Sequence, residues 1–435
     1  MDTGHAAWML ASSAMVLLMT PALALFYGGM TRSKSVLNMM MMSFGAMGVV
    51  VPIYILWGWS ASYGTDLFGD GAAGLIGNPF EMFGLADVQG AIGEDGSGAL
   101  ISVAFQMTFA IITVALISGA IADRAKYATW LVFAGIWVTL SYFPLAHMVW
   151  GGGFLSGEDG SLASLLYDGV APIDYAGGTV VHINAGVAGL VLALVIGARR
   201  GFGSEPMRPH SLPLTMLGAG ILWFGWFGFN VGSFVSYDDL DFAASWVDET
   251  GLVWVNTTAA TAAAILGWLV VEKIRDGKAT SLGAASGIVA GLVAITPACG
   301  ALSPVGSLVL GLVAGALCAL AVGLKYRFGF DDSLDVVGVH LVGGLVGTVG
   351  IGFLATSGGL FYGDGVAQLV VQTVVALFAV VWSGVVTFVI ALALKAVMGW
   401  RVDPDDEVAG IDFAEHGESA YDLASTGGTT FKTGA

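Results

Sequence analysis

Two histidines lie inside apolar stretches that are long enough to cross a membrane. His182 occurs in the context Val-His-Ile-Asn-Ala-Gly and His340 in the context Val-His-Leu-Val-Gly-Gly, and an aspartate stands eight residues before each, Asp174 and Asp332. Ionisable side chains are costly in hydrocarbon, so they are rare there and usually line a bundle interior or a pathway. An imidazole can also take up or release a proton near neutral pH. The repeated context predicts one shared site built from both histidines.

The composition is that of a polytopic membrane protein. Of the 435 residues, 56% are hydrophobic and 11% are charged, which leaves too little polar surface for a soluble globule. Apolar stretches of about 20 residues, the length that crosses the hydrocarbon core, cover residues 6–29, 36–59, 99–122, 128–149, 178–198, 212–235, 251–271, 281–298, 304–324, 335–356 and 367–396. The sequence therefore predicts an all-α protein with eleven spans. No basic segment precedes the first stretch, so we expect it to be retained as a span.

The basic residues define a topology. Every cluster follows an odd-numbered span: Arg32 and Lys34; Arg124 and Lys126; Arg199, Arg200 and Arg208; Lys273, Arg275 and Lys278; Lys325 and Arg327; Lys395, Arg401 and Lys432. The alternate connections, about 60–98, 150–177, 236–250 and 357–366, contain no basic residue. Cytoplasmic loops are enriched in Lys and Arg, so the N-terminus is predicted outside and the C-terminus in the cytoplasm.

The formal net charge of −17 arises mainly in the predicted outer connections and in the tail after Trp400. The acidic residues of the connections include Asp66, Asp70, Glu81, Asp238, Asp239 and Asp241. An acidic outer face raises the local concentration of cations, although its field decays within about 8 Å at physiological salt. The alternative, which we favour, is a general acidic bias of the kind that a salt-adapted archaeon carries.

The spans are predicted to form two inverted repeats of five helices, followed by a final helix. Five spans per repeat place the repeats in opposite orientations, related by an axis in the membrane plane. His182 then lies in the fifth span and His340 in the tenth, and both are expected near the midplane. The predicted domains are a transmembrane domain, 1–398, and a cytoplasmic tail, 399–435. Cys299 and Cys318 have no paired or metal-binding spacing, so no disulfide is predicted.

Several longer motifs resemble the ammonium transporter family (Amt/Mep/Rh), in its prokaryotic Amt branch. They are Asp-Tyr-Ala-Gly-Gly-Thr-Val-Val-His-Ile-Asn at 174–184, Ala-His-Met-Val-Trp-Gly-Gly-Gly at 146–153, Gly-Trp-Phe-Gly-Phe-Asn-Val-Gly-Ser at 225–233, Thr-Pro-Ala-Cys-Gly at 296–300 and Gly-Ile-Asp-Phe-Ala-Glu-His-Gly-Glu at 410–418. They occur in the family's order from the first span to the tail. The resemblance implies a cell-membrane ammonium transporter, which is not an enzyme and needs no cofactor.

The resemblance also implies a homotrimer in which each subunit has its own narrow pore. By position in the motifs, Phe109, Trp150 and Ser233 resemble an outer site that recruits ammonium, with Asp174 beside it. Phe109 and Phe229 resemble a stacked aromatic gate. His182 and His340 resemble twin pore-lining histidines, and Trp226 a further pore aromatic. Cation–π attraction, worth about 0.5–2 kcal/mol, suits such a recruitment site. We assign no transport role to His5, His147, His210 or His416.

The role of Asp174 has two interpretations. Its carboxylate contacts ammonium directly, or it accepts backbone N–H bonds as the N-cap of the fifth span. We favour the N-cap, because a carboxylate before a helix satisfies amide groups that have no partner within the helix. The same interpretation applies to Asp332 and Asp335 before the tenth span.

The predicted mechanism follows from the cost of burying charge. Desolvating a full ammonium charge in an apolar pore is expensive, so the proton should leave the nitrogen near the outer mouth. Ammonia then passes the aromatic gate and the histidine pair. The residues leave open whether the proton is released or relayed separately. Potassium has no proton to give up, so a narrow dry pore should exclude it.

The tail motif, with Gly410, Asp412, His416, Gly417 and Glu418, resembles the family's regulatory tail and implies a PII-type partner on the cytoplasmic face; a solvated acidic tail is the alternative. No nucleic-acid partner is expected.

Two other functions compete with transport. Paired membrane histidines can ligate haem, but the chain lacks other redox elements, and a Soret band would reveal it. An ammonium sensor would carry an appended signalling domain, which is absent from the sequence.

Overall fold

The structure is a computed structural model that describes residues 1–68, 73–88, 98–205, 207–234 and 242–421. Asp70, Asp238, Asp239 and Asp241 of the predicted acidic connections lie outside the described residues, as does the end of the predicted tail, 422–435.

Long apolar helices dominate the fold. Among the described residues, ten helices have the length and composition to cross a membrane: α1 (Thr3–Met30), α2 (Val36–Tyr63), α3 (Ala99–Ile121), α4 (Tyr127–Trp150), α5 (Gly178–Ile196), α6 (Leu212–Val231), α7 (Ala244–Asp276), α9 (Pro304–Phe328), α10 (Val337–Leu354) and α11 (Ala367–Val397). A shorter apolar helix, α8 (Ser281–Ile295), lies between α7 and α9. Short helices occur at Phe83–Leu85, Leu162–Leu166 and Leu360–Tyr362, and the tail forms α12 (Pro404–Ala409) and α13 (Ile411–His416).

The all-α prediction is confirmed, since the described residues pair as strands only in isolated β-bridges. Most helix boundaries lie within a few residues of the predicted ones. α7 is the exception, because it is helical from residue 244 where the apolar stretch begins at 251. Its first turns contain Asp248 and Glu249. Hydrophobicity marks the part of a helix in hydrocarbon, and the helix itself continues into the polar region.

The helices alternate in direction and create two faces, which we call the N-terminal face and the C-terminal face. At the N-terminal face, the start of α1 meets the end of α6, where Trp8 Nε1 donates to the Val231 carbonyl at 3.4 Å. At the opposite face, the His210 amide donates to the Thr31 carbonyl at 3.1 Å. Each lysine and arginine of the described residues lies near or beyond a helix end at the C-terminal face.

Two glycines bring α5 and α10 into backbone contact. Gly186 stands four residues after His182, and a Cβ there would lie 2.4 Å from the Leu341 amide nitrogen. Gly344 stands four residues after His340, and a Cβ there would lie 3.2 Å from the Cβ of His182. Small residues at such crossings let membrane helices approach closely. Each histidine helix therefore packs against the glycine that follows the other histidine.

We expect Gly186→Val to prevent this crossing and to lower the melting temperature of the purified protein. The added side chain overlaps backbone, which cannot move aside as a flexible side chain can, and overpacking a core typically costs about 1–3 kcal/mol. Gly220→Val on α6 is the matched control, because a Cβ at Gly220 has no heavy atom within 4 Å. Equal melting temperatures for the two variants would contradict the crossing.

The tail supplies the N-caps of two membrane helices. The Asp412 carboxylate accepts the amides of Leu37 and Asn38 at 3.0 and 2.8 Å, at the start of α2. Glu415 accepts the Tyr127 amide at 2.9 Å, at the start of α4. His416 contacts Asn38 Oδ1 through Nε2 at 3.0 Å. The described part of the tail is therefore bound to the C-terminal face.

We expect Asp412→Ala to loosen the tail. Loss of an N-cap costs about 1 kcal/mol, so a protease should cleave the segment after residue 400 faster than in the wild-type protein. Glu418→Ala removes an exposed carboxylate of the same motif and should be cleaved at the wild-type rate. Limited proteolysis followed by mass spectrometry measures both rates, and equal rates would show that the cap does not hold the tail.

Candidate functional site

Both histidine helices begin in the same way. The Asp174 carboxylate accepts the amides of Gly177, Gly178, Thr179 and Val180 at 2.5–3.2 Å. The Asp332 carboxylate accepts the amides of Val336 and Val337 at 3.0 and 2.7 Å. Each aspartate caps its helix. Burial raises the pKa of Asp174 to about 6, and the four amide donors, which favour the ionised carboxylate, oppose that rise.

Each histidine lies on a π-helical turn. These turns are Gly178–Ile183 and Val337–Leu341, and each is followed by regular α-helix. A π-turn inserts a residue into the helix, shifts the faces of the residues around it and is frequent at functional sites. The repeat seen in the sequence is thus also a repeat of backbone geometry.

The two rings meet in the interior. His182 Nδ1 lies 3.3 Å from His340 Nδ1, the ring planes are inclined by 19°, and the side chains are buried. A hydrogen bond between two imidazole nitrogens needs one donor and one acceptor. One proton therefore lies between the two rings. No hydrogen-bond partner for His182 Nε2 occurs in the part of the chain that the structure describes.

Aromatic rings continue the site from the histidines towards the N-terminal face. Trp226 stacks on His182 with centroids 5.5 Å apart, and its Nε1 donates to Thr296 Oγ1 at 2.8 Å. Phe229 follows on the same helix and stacks on Phe109 with centroids 4.0 Å apart and planes inclined by 16°. The edge-to-face contact of Phe109 with Trp150 spans 6.2 Å. These contacts form a continuous aromatic column above the histidine pair.

A narrow cavity adjoins the column and the histidines. It has room for about one water-sized molecule, about 10 Å³. Besides His182, His340, Trp226 and Phe229, its lining is entirely aliphatic or thioether: Met19, Leu23, Ile112, Leu116, Val181, Leu222 and Val289. Such a cavity accepts a small neutral molecule far more readily than an ion with its hydration shell.

The remaining predicted residues lie at the end of the column nearest the N-terminal face. Trp150 Nε1 donates to the Asp174 carbonyl at 2.8 Å, so the loop that caps α5 also orients this indole. Ser233, half-buried, follows Phe229 by one turn and donates its hydroxyl to the Phe229 carbonyl at 2.8 Å. Its oxygen can still accept a hydrogen bond. The tail residues lie apart from this site, at the opposite face.

Sequence reasoning missed two features near the column. One is Thr296, the hydrogen-bond partner of Trp226. It belongs to the 296–300 motif, and it could have been found because a buried indole N–H usually needs a hydrogen-bond acceptor. The other is the pair formed by His147 Nε2 and Asp66 Oδ1, 2.6 Å apart. His147 Nδ1 also contacts the Ser62 carbonyl at 3.2 Å. This pair joins the loop after α2 to α4, one turn before Trp150.

A bundle of membrane-length apolar helices around a narrow cavity, with paired histidines and stacked aromatic rings, defines a multi-pass membrane transport protein. Comparison with protein families identifies which one. Residues 7–421 match the model of the Ammonium Transporter Family, and the chain belongs to this family. It is therefore a transporter of ammonium or ammonia in the cell membrane and not an enzyme.

Known relatives agree with this assignment. The chain is 53% identical to an ammonium transporter of Mycobacterium tuberculosis, over 98% of this chain and 92% of the relative. Among solved structures, it is similar to Mep2 of Saccharomyces cerevisiae, with a TM-score of 0.80 and 30% identity over 98% of this chain and 93% of the other. It is also similar to a Sensor Amt Protein, with a TM-score of 0.82 and 28% identity over 95% and 98%.

Proposed function

We propose that the protein binds ammonium at the Trp150 end of the aromatic column, removes its proton there, and conducts ammonia past Phe109, Phe229 and the histidine pair. The observation that carries the proposal is the cavity beside His182 and His340, which is water-sized and apolar. An ammonium ion would have to give up its hydration shell to enter, at a cost of many kcal/mol. A neutral ammonia molecule enters without that penalty.

The proposed roles match the geometry of each residue. Trp150 and Phe109 present ring faces and edges to an arriving cation, which aromatic quadrupoles attract, and the Ser233 oxygen can accept an N–H bond. The stacked rings of Phe109 and Phe229 must separate before a molecule passes. We assign Asp174 to capping α5 and orienting Trp150, since its carboxylate oxygens are engaged by backbone amides.

The proposed orientation places the N-terminal face outside the cell. The basic residues lie at the C-terminal face, as in cytoplasmic loops. In this arrangement, α8 brings the number of spans to eleven: its 15 residues cover about 22 Å at 1.5 Å per residue. The turn at residues 296–300 extends it towards the N-terminal face. Two inverted five-helix repeats and a final helix account for the chain up to residue 398.

The decisive test records current and internal pH together in proteoliposomes given an ammonium pulse. Conduction of ammonia alone makes the internal pH rise without current, because the entering base takes up a proton inside. A current with little change in internal pH means that the proton also crosses, by a separate relay. Binding without either signal would instead favour a sensor, the function after which the similar Sensor Amt Protein is named.

We further propose a homotrimer in the membrane and a regulatory role for the tail, 399–435. The tail contacts support such a role, because Asp412 and Glu415 bind the starts of α2 and α4. A PII-type protein on the cytoplasmic face is the proposed partner. Native mass spectrometry tests the trimer, and co-purification with a PII protein, compared between wild type and Asp412→Ala, tests the partner.

A further inference from the structure

A second cavity opens at the N-terminal face, away from the histidines. It measures about 250 Å³ and lies where α7 begins and where α8 and α10 end. Its lining consists of Ile173, Tyr175, Glu249, Gly300, Ala301, Thr356 and Ser357. None of these residues lines the histidine cavity. The second cavity is therefore a separate feature, and four of its seven lining residues carry a side-chain oxygen atom.

Glu249 is the only ionisable carboxylate in this lining. It is half-buried, and the Tyr175 side chain lies beside it in the cavity lining. Its Oε1 atom is inaccessible to bulk solvent, and the described residues provide no hydrogen-bond donor for it. A buried anionic oxygen without a donor is costly. A group outside the described residues can therefore bind this oxygen.

The neighbouring side chains are held in place around the carboxylate. Gly300 packs so closely on Tyr175 that a Cβ would lie 2.6 Å from the ring. Thr356 donates both its amide and its hydroxyl to the Ala301 carbonyl, at 3.0 and 3.2 Å. The hydroxyl oxygens of Thr356 and Tyr175 keep lone pairs that can accept from, or coordinate, a cation. The cavity thus contains hydroxyl oxygens that can act as ligands together with the carboxylate.

The connections near Glu249 supply no lysine or arginine. The connections at the N-terminal face, about 60–98, 150–177, 236–250 and 357–366, contain neither lysine nor arginine. Within the described residues, the one ion pair on this face joins Asp66 to His147. No lysine or arginine therefore balances Glu249, and a cation or a proton from solution can take that place.

We propose that the Glu249 cavity is a binding site for a monovalent cation: Na⁺, K⁺ or ammonium. A single carboxylate with neutral hydroxyl oxygens balances a single positive charge. A divalent metal would call for more anionic ligands, and the described residues contain no group of three or more histidine, cysteine or acidic side chains that could hold one.

The site is connected to the aromatic column through one peptide. Tyr175 directly follows Asp174, whose carbonyl accepts the Trp150 indole N–H. A bound cation that restricts the motion of Tyr175 also restricts this carbonyl. Occupancy of the cation site should therefore reduce the mobility of Trp150. This coupling rests on the proposed role of Trp150, whereas cation binding itself does not.

The test measures binding without transport. The melting temperature of the purified full-length protein is recorded against NaCl, KCl or NH₄Cl, with choline chloride holding the ionic strength constant. A ligand that binds only the folded state raises the melting temperature. We expect a rise for the wild type and for Asp248→Asn, an exposed neighbour on α7. For Glu249→Gln we expect no rise with NaCl or KCl, or one that needs about tenfold more cation, equivalent to about 1.4 kcal/mol. With NH₄Cl we expect a smaller rise than in the wild type, because the ammonium site proposed at Trp150 is kept.

The outcomes are distinct. If none of the three cations changes the melting temperature of the wild type, a proton compensates Glu249 and the proposal is overturned. An unchanged response in Glu249→Gln would overturn it as well. If Glu249→Gln does not fold, Tyr175→Phe removes one oxygen ligand and should weaken the response, and an undiminished response would refute the site. A response to NH₄Cl alone that is smaller in Glu249→Gln identifies the ligand as ammonium, and a response to NaCl or KCl identifies an alkali cation.

Discussion

Replacing Asp174 by alanine is expected to abolish ammonium transport and to lower the melting temperature strongly. Four backbone amides lose their acceptor at a buried helix start. Each unsatisfied buried donor costs about 1–3 kcal/mol. The same loop contains the carbonyl that orients Trp150. Disorder at the start of α5 should therefore also displace Trp150 at the end of the aromatic column. Asp174→Asn keeps one acceptor oxygen and should fall between the alanine variant and the wild type.

The measurement combines ammonium uptake into proteoliposomes with thermal unfolding of the same preparations. Asp168→Ala is the control, because Asp168 is an exposed carboxylate in the loop before Asp174, and it should match the wild type in both assays. The pairing of the two readouts separates the two roles considered for Asp174. An alanine variant that melts like the wild type but does not transport would favour direct contact with ammonium over capping.

The second large effect is expected from the histidine pair. In His182→Ala, His340 loses its partner in a cavity that has no other polar lining except the edge of Trp226. Loss of a buried hydrogen-bond partner costs about 1–3 kcal/mol, so we expect transport to fall by about five- to 150-fold. The removed ring also widens the cavity, which lets water enter and weakens the exclusion of potassium. His340→Ala should behave in the same way.

Uptake of ammonium and conductance of potassium are measured on the same vesicles. The double variant is informative, because residues in direct contact are not additive: it should lose little more than either single variant. His210→Ala is the control, since His210 contacts Tyr421 at the C-terminal face, far from the cavity. If both single variants transport at the wild-type rate and still exclude potassium, the histidines do not form the pathway.

The sequence predicted the parts of this structure that depend on local composition. Apolar length located the helices, and the repeated context of His182 and His340 predicted their meeting, which the 3.3 Å contact confirms. These features can be predicted because hydrophobic stretches and ionisable residues within them are visible directly in the sequence. The end of α7 at the N-terminal face was missed because its first turns are polar and do not belong to an apolar stretch.

Other features depend on contacts between distant residues and could not be predicted. The π-turns under both histidines leave no hydrophobic signature, since one inserted residue shifts the helix face without changing its composition. The pair of His147 with Asp66 joins residues 81 apart in the chain. The cap that Asp412 provides for α2 joins residues 374 apart. A motif identified the tail as unusual, but only the folded chain shows which amides it binds.

The two caps contributed by the tail have a consequence for biogenesis. α2 and α4 are synthesised early, yet the carboxylates that complete their first turns belong to Asp412 and Glu415, near the end of the chain. During translation these amides have no carboxylate acceptor until the ribosome has synthesised nearly the whole chain. A chain that ended just after α11 would contain all its spans and still leave two incomplete helix starts at the C-terminal face. Completion of these two helix starts therefore depends on a full-length chain.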